Sequence, residues 1–95
     1  MRAQAHNNRA LIFIQQYHFS RAFEELNQAL TIYPNLFDSH YNFGNLLIQT
    51  NGDTNRAQEH FETALKLATN LESRKRIKLA LDNLYLNFQG STVAN

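Results

Sequence analysis

The chain has 95 residues, with nine basic and eight acidic side chains, a formal net charge of +1 and no cysteine. The length allows one compact domain or a short repeat array, and a hydrophobic content of 43% is enough to bury a core. The near-zero net charge argues against a strong attraction to nucleic acid or to a membrane surface. The absence of cysteine excludes disulfides, thiolate catalysis and cysteine-ligated zinc.

The longest apolar run covers only Ala10 to Ile14. Five residues are too few for the core of a signal peptide or for a membrane-spanning helix. We therefore expect no membrane partner and a cytoplasmic location.

The first two helices are predicted from apolar periodicity and from turn residues. The first runs from about Ala3 to Gln16. The second begins near Ser20, whose hydroxyl is expected to cap the free backbone amides of the first turn. It ends at Pro34, because proline disfavours helical geometry in the residue before it.

The third and fourth helices follow with a clear break between them. Asn35 is the expected N-cap of the third helix, and Asn51-Gly52 ends it because glycine is free to take a positive φ. The fourth helix is capped by Asp53 or Thr54 and lasts to about Ala68.

A fifth helix is predicted from the capping-box spacing of Thr69 and Glu72, and it runs to about Phe88. It has one apolar face and no following helix, so we expect it to close the stack. We expect residues 89–95 to form a flexible tail. Residues 1–88 are then a single domain.

The two hairpins repeat one another, with a spacing of 34 between their first helices and 35 between their second helices. The change from 34 to 35 means that the second hairpin has one additional residue in its turn, and we place it at Asn51-Gly52-Asp53. Ala29 and Ala64 are expected to be buried where the helices of each hairpin cross, because small residues let helix axes approach. The matched pairs are His6 and His40, Asn8 and Asn42, Ala10 and Gly44, Phe13 and Leu47, Ala22 and Ala57, Leu26 and Phe61, Ala29 and Ala64, Leu30 and Leu65, and Ile32 and Leu67.

A helical hairpin of this period resembles the tetratricopeptide repeat family over residues 3–71. Pro34 matches the family's proline, whereas Arg9 and Tyr17 stand where the family has leucine and glycine. The resemblance implies an all-α solenoid of two hairpins and a closing helix, with a right-handed superhelical twist. The expected units are repeat one over about 3–36, repeat two over about 37–71 and the capping helix over about 70–88.

The resemblance also implies a non-enzymatic module that binds a protein or peptide partner in a concave groove lined by the first helix of each hairpin. Asparagine suits such a groove, because its side chain both donates to and accepts from a peptide backbone. The alternative is that these asparagines are merely solvated. The predicted groove residues are Asn8, Leu11, Asn42, Asn45, Lys75 and Lys78.

The sequence shows no catalytic constellation, no phosphate-binding loop and no histidine pair at metal-ligand spacing. His6 and His40 occupy equivalent places, and we expect them to pack in place of aromatic residues, since no further metal ligand recurs with them. His60 is expected on a solvated helix face. No enzyme activity, cofactor or metal is therefore predicted.

Two other functions stay open. Apolar side chains on nearly every side of the first helix suggest self-assembly through Ile12 and Phe13, because an exposed apolar patch marks an interface. A basic cluster in the fifth helix suggests RNA binding, although the near-neutral charge of the chain argues against it. That cluster consists of Arg74, Lys75, Arg76 and Lys78.

Overall fold

A computed structural model describes the backbone of residues 1–93 and the side chains of residues 1–86. This part of the chain contains five helices and no strand, which confirms the all-α prediction. The helices are α1 (Ala3–Gln15), α2 (Phe19–Ile32), α3 (Phe37–Gln49), α4 (Thr54–Leu67) and α5 (Leu71–Val93). α1 packs mainly on α2, α3 on α4, and α5 on α4, so the two predicted hairpins and the following helix are present. The handedness of the superhelix stays a prediction.

Small residues line the crossing of each hairpin. Ala29 and Ala64 are fully buried, as predicted, and Gly44 lies against the ring of Phe61. The apolar faces of the helices meet in one continuous core that extends from α1 to Ile77 of α5. The fully or almost fully buried core residues are Ala10, Ala22, Leu26, Phe43, Leu46, Leu47, Ala57, Phe61, Ala64 and Ile77.

Both hairpin turns contain a residue with left-handed backbone geometry. Tyr17 has φ 62° and Asn51 has φ 56°, at a spacing of 34. The next amide in each turn bonds back to the carbonyl five residues earlier, at 2.8 Å in the first turn and 2.7 Å in the second. These bonds form a Schellman motif, which satisfies carbonyls at the end of α1 and of α3.

Gly52 was predicted to take the positive φ of the second turn, and that prediction is wrong, because Asn51 takes it. The limited space at position 52 favours glycine instead. A Cβ atom there would lie 3.0 Å from Cδ2 and 3.2 Å from the carbonyl oxygen of Leu47. The amide of Gly52 donates to that same carbonyl, so the chain cannot easily move away.

The predicted N-caps of α2 and α3 are displaced. α2 begins directly after His18 rather than at Ser20, because the carbonyl of His18 already accepts from the amide of Ala22 at 3.0 Å. α3 follows Leu36 rather than Asn35. The amide of Leu36 donates to the carbonyl of Tyr33, which places Asn35 inside a turn and away from the free amides of α3.

The caps of the later helices carry side-chain hydrogen bonds. Asp53 caps α4 as predicted and accepts from the backbone amides two and three residues further along. α5 is capped by Asn70 instead of Thr69. The amide of Ser73 donates to Asn70 Oδ1 at 2.8 Å, which is the bond that a capping side chain makes to the third helical residue.

α5 is longer than the sequence predicted. Its backbone stays helical to Val93, whereas an end near Phe88 was expected. Residues 89–93, predicted as a tail, are therefore helical, and residues 94 and 95 lie outside the described part of the chain. The domain bounds stay a prediction. No helix among the described residues has the length and apolar character needed to cross a bilayer.

Candidate functional site

A cleft of about 280 Å³ lies between α3 and α5, with Phe61 of α4 contributing to its lining. Side chains at three- and four-residue steps share one face of a helix. Residues 41, 45 and 48 form such a face on α3, and residues 76, 79, 80 and 83 form one on α5. The complete lining is Tyr41, Asn45, Ile48, Phe61, Arg76, Leu79, Ala80, Asn83 and Leu84.

The cleft is mainly apolar, with a few polar groups. Leu79 is 60% exposed, and Ile48 on the facing helix is also exposed. Asn45 and Asn83 are exposed on opposite walls and carry amide groups that both donate and accept hydrogen bonds. An apolar cleft with a small number of polar groups has the usual composition of a binding site.

Arg76 brings a positive charge to the cleft wall. Within the described side chains, the ion pairs join Glu25 to His6 and to Arg9. Arg76 therefore has no carboxylate partner in that part of the chain. A guanidinium group in this position can donate two parallel hydrogen bonds to a carboxylate.

The structure brings one of the predicted groove residues, Asn45, into the cleft. Asn8 and Leu11 are exposed on α1, outside its lining. Lys75 and Lys78 are exposed on α5 and do not line the cleft either. The basic residue on the cleft wall is one that the sequence analysis did not assign to the groove.

Asn42, also predicted for the groove, takes part in a buried hydrogen-bond network. Its Nδ2 donates to Asn7 Oδ1 at 3.0 Å, and Ser39 Oγ donates to the same oxygen at 2.9 Å. Asn7 is only 2% exposed. The network joins α1 to α3 and gives Asn42 a structural partner, while its role in binding stays a prediction.

Asn7 was not among the predicted site residues, because the match at a spacing of 34 pairs Asn8 with Asn42. The contact instead joins residues 35 apart. A signal was present, because Asn7 follows the buried Ala3 by four residues and precedes the buried Ala10 by three. A residue at such steps lies on the core face of its helix.

The two residues predicted for self-association differ in their surroundings. Ile12 is 51% exposed. Phe13 is half-buried against the core, and the guanidinium groups of Arg9 and Arg21 each lie 5.9 Å from the centre of its ring. Contacts within the chain therefore cover much of Phe13 and leave Ile12 open.

His60 was expected on a solvated face, and that prediction is wrong. The side chain is half-buried and stacks on Phe43, with ring centres 4.3 Å apart. Its Nδ1 lies 3.0 Å from Nδ1 of His40. Burial, followed by the neighbouring His40 and Arg56, lowers the pKa of His60 from 6.5 to about 4. Among the described residues, no group of three or more potential metal ligands comes together.

Two family models match the chain, and both are described as tetratricopeptide repeats. One matches residues 3–36 and the other matches residues 25–59. Together they span α1, α2, α3 and the first part of α4. Comparisons with curated proteins and with solved structures found no match.

Proposed function

Because the chain belongs to the tetratricopeptide repeat family, we propose that it is a non-enzymatic protein-binding module and that the α3–α5 cleft is its binding site. Repeats of this family generally mediate protein–protein interactions. The main support for this proposal is the exposed apolar lining of the cleft, with amide groups on both walls.

The main contribution to affinity comes from the apolar side chains. Ile48 and Leu79 face the cleft from opposite helices and are both exposed. Covering one such side chain completely contributes about 1.5–3 kcal/mol, before the entropy lost on association is subtracted. The partner therefore offers at least one apolar side chain to the cleft.

The amide groups supply the orientation of a bound segment. Asn45 and Asn83 can pair with the backbone of an extended peptide from both sides, and each pair contributes about 0.5–1.5 kcal/mol net. Arg76 attracts an acidic group at one end of the cleft. Because exposed charges are screened over about 8–10 Å, this last contribution decreases as salt increases.

The proposed binding face continues beyond the cleft onto α1. Leu11 precedes Asn45 by 34 residues and is therefore its equivalent in the first hairpin, and Asn8 is likewise equivalent to Asn42. We retain Leu11 and Asn8 as an extension for a longer partner. Lys75 and Lys78 contribute only positive charge near the cleft, whereas Arg76 contacts the partner directly.

The test uses a matched pair of isoleucines. Ile48 and Ile12 are both exposed helical residues, but only Ile48 lines the cleft. A peptide is selected from a random library against the full chain, and its affinity is measured by calorimetry for wild type, Ile48→Arg and Ile12→Arg. We expect Ile48→Arg to weaken binding at least tenfold and Ile12→Arg to leave it unchanged. Equal affinities for all three proteins would place the site elsewhere.

Self-assembly is the second candidate, and the exposure of Ile12 is the observation in its favour. Sedimentation equilibrium across a dilution series measures it directly. A mass of 11.0 kDa at every concentration excludes assembly. A higher mass in wild type that Ile12→Arg abolishes supports it.

A further inference from the structure

His40 and His60 connect α3 to α4 through their ring nitrogens, and we call these two residues the histidine pair. His40 Nε2 lies 2.7 Å from the carbonyl oxygen of Pro34. A carbonyl oxygen only accepts, so His40 carries its proton on Nε2 and its Nδ1 is an acceptor. His60 must then donate from its own Nδ1 across the 3.0 Å contact.

The histidine pair can take up one additional proton and stay hydrogen-bonded. With His40 protonated on both nitrogens, its Nδ1 donates and a neutral His60 accepts after moving its proton to Nε2. A second additional proton leaves two N–H groups facing each other at the same contact. No hydrogen bond can then form, and two positive charges repel one another in a partly buried place.

The surroundings of the histidine pair do not offset a second charge. Arg56 of α4 packs over Phe43, on which His60 stacks, and so adds positive charge from the same helix. The turn before α3 contributes the carbonyl of Pro34, which does not titrate. No carboxylate of the described side chains lies within ion-pair distance of either histidine.

The equivalent contact in the first hairpin joins different residue types. His6 precedes His40 by 34 residues, and Glu25 precedes His60 by 35. His6 Nδ1 lies 2.7 Å from Glu25 Oε1, so the first hairpin has a carboxylate where the second hairpin has the His60 imidazole. The contact between two imidazole rings is therefore a feature of the second hairpin.

We propose that the histidine pair is an acid-sensitive latch of the second hairpin and that its opening regulates the cleft. Each histidine of the pair is adjacent in sequence to an aromatic residue of the cleft, because His40 precedes Tyr41 and His60 precedes Phe61. Tyr41 and Phe61 both line the cleft, with ring centres 6.0 Å apart. Separating α3 from α4 at the histidine pair moves these two rings apart. The regulatory part rests on the proposed function, whereas the opening itself does not.

The opening is measured by native-state hydrogen exchange on the full chain at about pH 7.5 and pH 5.0, corrected for intrinsic exchange rates. A histidine with a pKa lowered in the folded state stabilises above its unfolded pKa, and this stability is lost as pH falls toward the folded pKa. With values of 6.5 and about 4 for His60, the opening constant of α3 and α4 amides should increase roughly 30-fold. Amides of α1 that exchange by local opening, without exposure of the second hairpin, should not show this increase.

Two variants test whether the pH response of the second hairpin comes from the histidine pair or from a general loss of stability in acid. His60→Asn places an amide donor near the position of Nδ1 but does not titrate, so the 30-fold response of the second hairpin should disappear. His6→Gln removes the ion pair of the first hairpin and should leave that response intact. If wild type and His60→Asn respond equally to pH, the latch is wrong. Should His60→Asn not fold, NMR titration of the wild-type ring decides, because a midpoint near 6.5 also refutes the latch.

The regulation of the cleft needs one more measurement, with a library-selected peptide whose binding Ile48→Arg weakens. Its affinity should follow the closed fraction that hydrogen exchange gives at each pH, and should decrease more in wild type than in His60→Asn once the pH is low enough to populate the open form. Equal decreases would overturn the regulatory step. The exchange experiment uses no peptide. A cleft that binds nothing would therefore refute the proposed function and leave the latch result standing.

Discussion

A Cβ atom added to Gly44 would lie 2.8 Å from Cε1 and 2.9 Å from Cζ of Phe61. The Phe61 residue is 1% exposed, so any withdrawal of its ring must displace its packed neighbours or reduce the α3–α5 cleft that it lines. Glycine within a helix costs about 1 kcal/mol relative to alanine. The close packing of the aromatic ring on the α3 backbone offsets that cost.

Gly44→Ala should lower the free energy of unfolding by up to about 2 kcal/mol, because an overpacking cost of about 1–3 kcal/mol outweighs a gain in helix propensity of about 1 kcal/mol. The first hairpin has Ala10 and Leu26 at the equivalent places. The double variant Gly44→Ala, Phe61→Leu copies that combination and should be more stable than the sum of the two single changes predicts. Urea denaturation of all four proteins measures the coupling. A stabilising Gly44→Ala, or strict additivity, would contradict this account.

Tyr17→Gly should stabilise the protein by about 1 kcal/mol. A left-handed residue other than glycine costs about 1–2 kcal/mol, and the 77% exposed tyrosine side chain offers little packing in return. Asn51→Gly is the matched control in the second turn. Its gain should be smaller, because asparagine tolerates this geometry better. The measurement is the thermal midpoint of each variant, and a lower midpoint for Tyr17→Gly would refute the prediction.

Asn7→Ala should destabilise the protein by about 1–3 kcal/mol, because the hydroxyl of Ser39 and the amide of Asn42 lose their shared acceptor in a buried place. Asn8→Ala is the control, since it changes the adjacent and exposed asparagine. Its effect should stay within about 0.5 kcal/mol. Chemical denaturation distinguishes the two. Equal effects would mean that the network contributes no stability of its own.

Asn70→Ala should cost about 1 kcal/mol through loss of the α5 cap. Thr69→Ala should cost much less, because the hydrogen bond to the first turn comes from the neighbouring asparagine. Amide exchange at Ser73 reports the cap directly and should become faster only in Asn70→Ala. A larger loss of stability in Thr69→Ala than in Asn70→Ala would mean that Thr69 is the cap, as the sequence predicted.

The repeat made the number and pairing of the first four helices predictable, because two copies of one pattern support each other, although the N-caps of α2 and α3 were displaced. Predictions became less accurate where that internal check was missing. α5 has no second helix to match, so its register was unknown, and Lys75 and Lys78 were chosen where Arg76 lines the cleft. The repeat match at a spacing of 34 pairs Asn8 with Asn42, whereas the contact joins Asn7 to Asn42 at a spacing of 35, so the core-face spacing of Asn7 had to be weighed beside the repeat.

The two helix stacks of this short solenoid use different chemistry at equivalent places. Between α1 and α3, the Asn7 amide accepts from two side chains, one of them Ser39. Moving on by 34 residues replaces Asn7 with Tyr41 and Ser39 with Ser73, so the acceptor becomes an aromatic ring. A copy of the first hairpin in the second position would place the Asn7 amide against Ser73 and would remove the Tyr41 ring from the cleft wall. The order of the two hairpins therefore decides which junction is a buried hydrogen-bond network and which is an open cleft.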